Sequence, residues 1–217
     1  MPLGTDTIIL DSILQKTIEK CKQKRYMLVL PTLPYGFSHH HLAFPGTLSL
    51  PADLLEKILL TLCQQLLSQG FKKLLLISWH GGHISIMHDV AYELKKTFHD
   101  RYIFYVPIID SVFDKIKDLV AEPVYHADDL ETSIMLALNQ RVIMSKALKD
   151  GIAEVLNGYT YLDFKKTARV KIPVNVMEFS KSGVIGDPTR SSPEKGEKII
   201  EIISDELAKI LDKIANI

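Results

Sequence analysis

Apolar side chains between residues 5 and 24 fall at Ile9, Ile13 and Ile18, with Leu10 and Leu14 beside them. That spacing lines one face of an amphipathic helix, with Thr5 or Asp6 where an N-cap belongs. Tyr26–Pro31 is then a short continuous apolar run of strand length, which predicts a strand buried on both faces. Asp53 to Gln69 returns to helical period and ends at Gly70, a natural C-cap. Lys73–Ser78 (KLLLIS) predicts a central strand, Ile84 to His99 a helix, and Tyr102–Ile109 another buried strand. Ala127 to Gln140 predicts a helix whose first turn carries Asp128 and Asp129, where the helix dipole favours negative charge. Residues 145–185 are irregular, and Pro193 to Ile217 closes the chain with an Ile- and Leu-rich helix. Strands alternating with helices predict an α/β protein, a three-layer α/β/α arrangement with a mostly parallel sheet. No repeat, low-complexity tract or linker interrupts residues 1–217, so one domain is expected.

Composition narrows the function classes. The 217 residues are 47% hydrophobic and 24% charged, which predicts a folded globular chain. Lys and Arg total 26, and so do Asp and Glu, so neither nucleic-acid binding nor an acidic partner is signalled. A formal charge of zero removes one barrier to self-association, and a homo-oligomer is expected. No apolar run is long enough to span a bilayer, and residues 1–10 lack the basic start of a signal peptide, so the expected location is the cytoplasm, away from membranes. The two cysteines, Cys21 and Cys63, lie in predicted helices without metal-type spacing and read as buried free thiols. No GxGxxG or GKS/GKT loop follows a strand, which weakens a nucleotide-binding reading.

Ligands in sheets of this kind sit at the carboxyl ends of the strands. The segments there are rich in histidine. His80-Gly81-Gly82-His83 follows the KLLLIS strand, and its glycines let the backbone pass close to a ligand or metal; a tight turn with incidental histidines is the plain alternative. His126 stands just before Asp128, Asp129 and Glu131; either Glu131 joins a site with His126, or the two aspartates cap the helix and Glu131 is solvated. Ser38-His39-His40-His41 could ligate metal or bind substrate, but at most two of the three rings can share one site. Asp6 alone reads as an N-cap. Trp79, the sole tryptophan, either walls a substrate pocket or packs in the core.

Together and in order, these segments resemble the creatininase (creatinine amidohydrolase) family. Pro2-Leu3-Gly4-Thr5-Asp6-Thr7 is similar to the second half of the family's Glu-x-His-Gly-x-His-Leu-Pro-x-x-Thr-Asp segment. Tyr35 to His41 with Phe44-Pro45-Gly46-Thr47, Ser78 to His83, His126 to Ser133, and Gly183 to Pro188 followed by Lys195-Gly196 resemble its later motifs. The resemblance covers residues 2 to about 200.

It implies a centre of two divalent metals hydrolysing a cyclic or linear amide, with zinc, manganese or iron(II) suiting a mixed Asp, Glu and His shell. Asp6, His80 and Glu131 would be the metal ligands, Asp6 as the bridging carboxylate. His126 and Glu131 would handle protons. Ser38, His39, His41, Trp79 and His83 would contact a small-molecule amide. Archaeal members that deformylate a ribosylaminopyrimidine phosphate represent one such substrate class. The family's enzyme for creatinine carries Glu where this chain has Gly82, so creatinine is not the expected substrate. His40 stands for a common Glu, His83 for an Asn, and Ser78-Trp79 for Asn-Gly. The Glu and His that precede the Leu-Pro step in the family would lie before Met1. The chain is therefore expected either to continue upstream or to carry a reduced metal shell. The alternative from another class is a catalytically silent member that binds or assembles.

Overall fold

A computed structural model describes residues 1–217. Helix α1 (Thr5–Lys20) turns Ile9, Leu10 and Ile13 inward, and the Thr17 hydroxyl satisfies itself on the Ile13 carbonyl at 2.7 Å. A connection with short helical turns at 24–26 and 39–41 leads to α2 (Ala52–Ser68). Strand β1 (Lys73–Ser78), helix α3 (Ile84–Thr97) and strand β2 (Tyr102–Pro107) then form a βαβ unit. Its strands run parallel, with Lys73 opposite Tyr102 and Ser78 opposite Pro107. Helix α4 (Ile108–Ile116) leaves β2 without a break. Strand β3 (Val124–His126), helices α5 (Asp129–Ala137) and α6 (Val176–Phe179), strand β4 (Ile185–Gly186) and helix α7 (Pro193–Ala215) complete the chain. β3 and β4 pair antiparallel as a second two-stranded sheet.

The α/β class expected from the pattern is what the chain forms. β1 has the period-two signature of a strand covered on both faces. Leu74 and Leu76 join the cluster built with α2 and α3, while Leu75 and Ile77 pack on the opposite cluster. That second cluster is the main core: 18 buried residues, chiefly from α1, α4, α5 and α7. On α7 the stripe Ile199, Ile203, Leu207 and Leu211 recurs every fourth residue and faces this core and its extension at Cys21. Ser192 caps that helix by accepting from the Lys195 amide at 3.2 Å, with Pro193 in the first turn. Cys21 and Cys63 are buried free thiols, as expected.

Two expected strands are corrected. Tyr26–Pro31 joins no sheet; Leu28, Val29 and Leu30 are about half exposed, at 62%, 51% and 48%. The segment lines, with β1 and with Leu55, Leu59, Cys63 and Leu66 of α2, an apolar cavity of about 440 Å³, and makes no backbone hydrogen bond to β1. The run Tyr102–Ile109 ends as a strand at Pro107. Ile108, Ile109, Val112 and Ile116 are instead one buried helical face of α4.

Candidate active site

The carboxyl end of β1 delivers Ser78, Trp79 and His80 in sequence, and strand alternation sends them to different sides. Ser78 faces the α2–α3 side, where its hydroxyl lies 2.9 Å from His83 Nδ1. Trp79 enters the main core with 5% of its surface exposed. His80 stays at the strand tip, with its Nδ1 3.0 Å from Asp6 Oδ2 in the first turn of α1. Beyond it, Gly82 keeps a space open. A Cβ there would lie 2.7 Å from His80 Nε2 and 2.9 Å from His40 Cε1.

Glu131 comes from the first turn of α5. Asp128, at the N-cap, accepts from the Glu131 amide at 3.2 Å and from the Tyr125 amide at 2.7 Å. Glu131 Oε1 accepts from the Trp79 indole N–H at 3.1 Å, and Oε2 from the Ala127 amide at 2.8 Å. Ala127 holds a left-handed φ of 49° to make that contact. Burial, with the charges of Asp6 and Asp128 added, pushes the Glu131 carboxyl up to about 8. Burial acts the same way on Asp6, but the hydrogen bond to His80 and the fields of His80 and His126 outweigh it, and the Asp6 carboxyl is lowered.

Histidine rings close the cluster. His40 stacks on His80 with centroids 5.2 Å apart and planes within 9°. His41 lies 4.2 Å from His126, centroid to centroid. Burial, then the neighbouring imidazoles, lowers His40 to about 4 and His41 to about 3; His126 falls to about 4, mainly by burial. At neutral pH these rings are uncharged and keep a free lone pair, the form that binds a cation or takes a proton.

Asp6, His80, His126 and Glu131 are therefore brought together, as the sequence suggests, and Glu131 is not a solvated helix residue. The expected substrate contacts divide. His41 faces the cluster. His39 turns away, stacking on Phe37 at 4.9 Å and placing Nδ1 2.8 Å from the Ser49 hydroxyl. Ser38 is fixed through its amide, which donates to the same hydroxyl at 2.8 Å. His83 accepts from the Phe37 amide at 3.1 Å on Nε2 and meets Ser78 on Nδ1, so both its ring nitrogens are used within the protein. Trp79 packs in the core, donates its indole N–H to Glu131 and also lines the apolar cavity of about 440 Å³ beside β1. Reading the triplet as extended chain favours His39 and His41 together. The segment is a tight helical turn instead, which puts His40 and His41 at the site. His40 is the residue the sequence reading leaves out.

The cluster can be tested for a divalent cation. His80 Nε2 is buried without a hydrogen-bond partner, beside the gap that Gly82 leaves. Two neighbouring, partly buried carboxyl groups, one of them driven towards neutrality, are relieved by a positive ion. The donor chemistry fits. Yet no group of three or more His, Cys, Asp or Glu side chains already stands in the arrangement of a formed metal centre.

The family model for creatininase, described as creatinine amidohydrolase, matches residues 1–211. The mycofactocin precursor peptide peptidase of Mycolicibacterium smegmatis is 26% identical over 201 residues, covering 92% of this chain and 73% of that protein. The 3-dehydro-scyllo-inosose hydrolase of Thermotoga maritima is 25% identical over 236 residues, covering 98% and 72%. Among solved structures, one assigned as a creatinine amidohydrolase from Bacteroides fragilis superposes with a TM-score of 0.79 at 24% identity, over 97% of this chain and 82% of that one. A creatininase with manganese also gives 0.79, at 20% identity, over 98% and 84%.

Proposed function

We propose that this chain, which belongs to the creatininase family, is a divalent-metal-dependent amidohydrolase that cleaves a C–N bond of a small amide, lactam or formamide. One observation carries the reading: at the tip of β1, His80 pairs with Asp6 at 3.0 Å and leaves its Nε2 buried and unpaired, while the adjacent Trp79 holds Glu131. Family membership supports hydrolysis, and the mycobacterial relatives named as peptidases make a peptide-like amide a natural member of the substrate class.

Asp6, His80 and Glu131 would hold the ion, with zinc, manganese or iron(II) compatible with their donors. When bound, a divalent ion supplies Lewis acidity towards the scissile carbonyl and towards water. His126, neutral and partly buried beside His41, would accept a proton from water and return it to the leaving nitrogen. Glu131 would either hold the ion or share that exchange. His40 and His41 form the wall against which a polar amide would lie.

A second reading has its own support. With no three donors in a formed arrangement, the chain could be a metal-deficient member that binds or assembles without catalysis. Metal analysis of the purified chain, with hydrolysis of a formamide and of a short peptide amide, separates the two. We expect one divalent ion per chain and metal-dependent turnover. A folded protein that stays metal-free in excess zinc and manganese would favour the silent reading. Two ions per chain would show that other residues, His40 and His41 foremost, complete a larger centre. An N-terminally extended polypeptide assayed alongside tests whether additional ligands raise both values. Self-association is proposed as well, from zero net charge and the exposed Tyr92, Tyr102 and Tyr105; sedimentation giving a monomer at micromolar concentration would count against it.

A further inference from the structure

Trp79 sits in the main core among apolar side chains. An indole differs from those in one respect that matters when buried. Its N–H is a donor with no acceptor capacity, and it needs a partner. The partner here is a carboxyl oxygen of Glu131, and the bond becomes charge-assisted when that group is ionised, as it would be on holding a cation.

We infer that Trp79 is a positioning residue for Glu131, acting with the Ala127 amide as a two-point clamp on the carboxylate. This rests on the reading of Glu131 as a site carboxylate. Each oxygen of Glu131 accepts one N–H, and the two donors come from different elements: the strand tip that also carries His80, and the turn that leads into α5. A carboxylate held at both oxygens cannot rotate about its last bond without losing a hydrogen bond. The third hold is on the backbone, where Asp128 accepts from the Glu131 amide. Glu131 still keeps free lone pairs for a ligand, because each oxygen carries two. Since Trp79 and His80 are adjacent on one strand tip, the clamp fixes Glu131 relative to His80 and not only within its own helix. Ala127 keeps a left-handed backbone that an alanine adopts unwillingly, so the turn is shaped around this contact. A group fixed in this way gives up little freedom when it takes a ligand, which is the physical meaning of preorganisation.

The chain has one tryptophan, so its indole ¹H–¹⁵N resonance is unique and reports on the clamp. Three measurements test it: that resonance in the parent and in Glu131→Gln, its response to zinc, and zinc affinity with kcat and KM for Trp79→Phe. The indole signal should move on Glu131→Gln and on zinc addition. Trp79→Phe should bind zinc about tenfold more weakly, the scale of losing one charge-assisted hydrogen bond, and should lose kcat while KM changes little. Replacing Trp79 with 3-benzothienylalanine, which keeps the ring shape and lacks the N–H, should give the same result without a packing defect. It also decides the matter if Trp79→Phe does not fold. Zinc affinity within threefold of the parent in the benzothienyl protein would overturn the inference, as would an indole signal indifferent to Glu131→Gln. A parent that binds no zinc but shows the Glu131-dependent indole shift would overturn the metal reading while leaving the clamp standing.

Discussion

The two faces of the β1–β2 sheet are unequal. One is covered by α1, α4, α5 and α7 over an 18-residue core; the other by α2 and α3 over a seven-residue cluster; an apolar cavity of about 440 Å³ runs along β1 between α1 and α2. The chemistry follows the same division. Asp6, Trp79 and Glu131 stand on elements of the densely packed face, while Ser38, His39, His40 and His41 stand on a connection and are held by a few polar contacts and ring stacks. The groups that would react stand on elements seated in the larger core. The groups that would meet the substrate sit where the backbone can vary without disturbing the core.

The largest test of this division compares His80→Ala with His39→Ala. Loss of His80 should lower metal affinity and turnover by at least about 100-fold, the scale of losing a ligand or its close support. Loss of His39, which faces Phe37 and Ser49, should change either by less than about threefold, a difference too small for a lost charge-assisted contact. Isothermal titration with zinc and steady-state assays check both. Equal losses would mean that the connection is part of the rigid machinery.

Stability offers the next contrast. Ile203→Ala removes a fully buried side chain from the main core and should cost about 2–5 kcal/mol. Leu62→Ala, 40% exposed at the cavity, should cost under about 1 kcal/mol. Urea denaturation of the two variants measures the difference.

Acid should attack the histidine cluster. His40, His83 and His126 fold with values lowered to about 4 and His41 to about 3, against 6.5 when unperturbed. Below pH 6.5 these four rings bind more protons in the unfolded chain than in the folded one, and the stability they contribute is lost as pH falls from about 6.5 towards 4. Glu131, raised to about 8, and Asp128, raised to about 7, act with the opposite sign, but two carboxyls offset only part of four rings. The denaturation midpoint should therefore be lower at pH 5 than at pH 6, and His41→Asn should flatten the decline. A midpoint unchanged down to pH 5 would contradict the burial of these rings.

The smallest expected effect is at Ala127. Ala127→Gly relieves a left-handed residue but loosens the unfolded chain, and should raise stability by about 0.5 kcal/mol. Thermal unfolding would detect it; a clear loss would mean that the Ala127 methyl packs in a way that matters more than its backbone.

Much of the arrangement is legible in the sequence where local period and tertiary outcome agree. KLLLIS reads as a strand because both its faces are apolar, and it forms one over the same six residues. Asp6, His80, His126 and Glu131 are found together because the resemblance supplies a pairing that spacing alone cannot. α4 is hidden because Ile108 and Ile109 continue the apolar run of β2; the Ile108, Val112, Ile116 spacing across Pro107 is the signal that separates them. Tyr26–Pro31 has strand composition, but a strand exists only where another backbone meets it, and composition does not report that. His39 and His40 are exchanged for a similar reason: three identical residues carry no pattern, and the turn that orients them is set by hydrogen bonds to Ser38 and Ser49. The Trp79–Glu131 contact joins residues 52 positions apart and leaves no mark in either neighbourhood.

Helix α5 owes its seat to the end of the chain. Lys195 of α7 reaches the buried Asp129 at 2.6 Å, and Gly196 lies so close to the Ser133 carbonyl that no Cβ fits between the helices. Asp6, His80, His126 and Glu131 all precede α7 in the chain, so they can be assembled in full only once α7 has docked on α5. A substitution at Gly196 or Lys195 would therefore reach the site without touching any of its chemical groups.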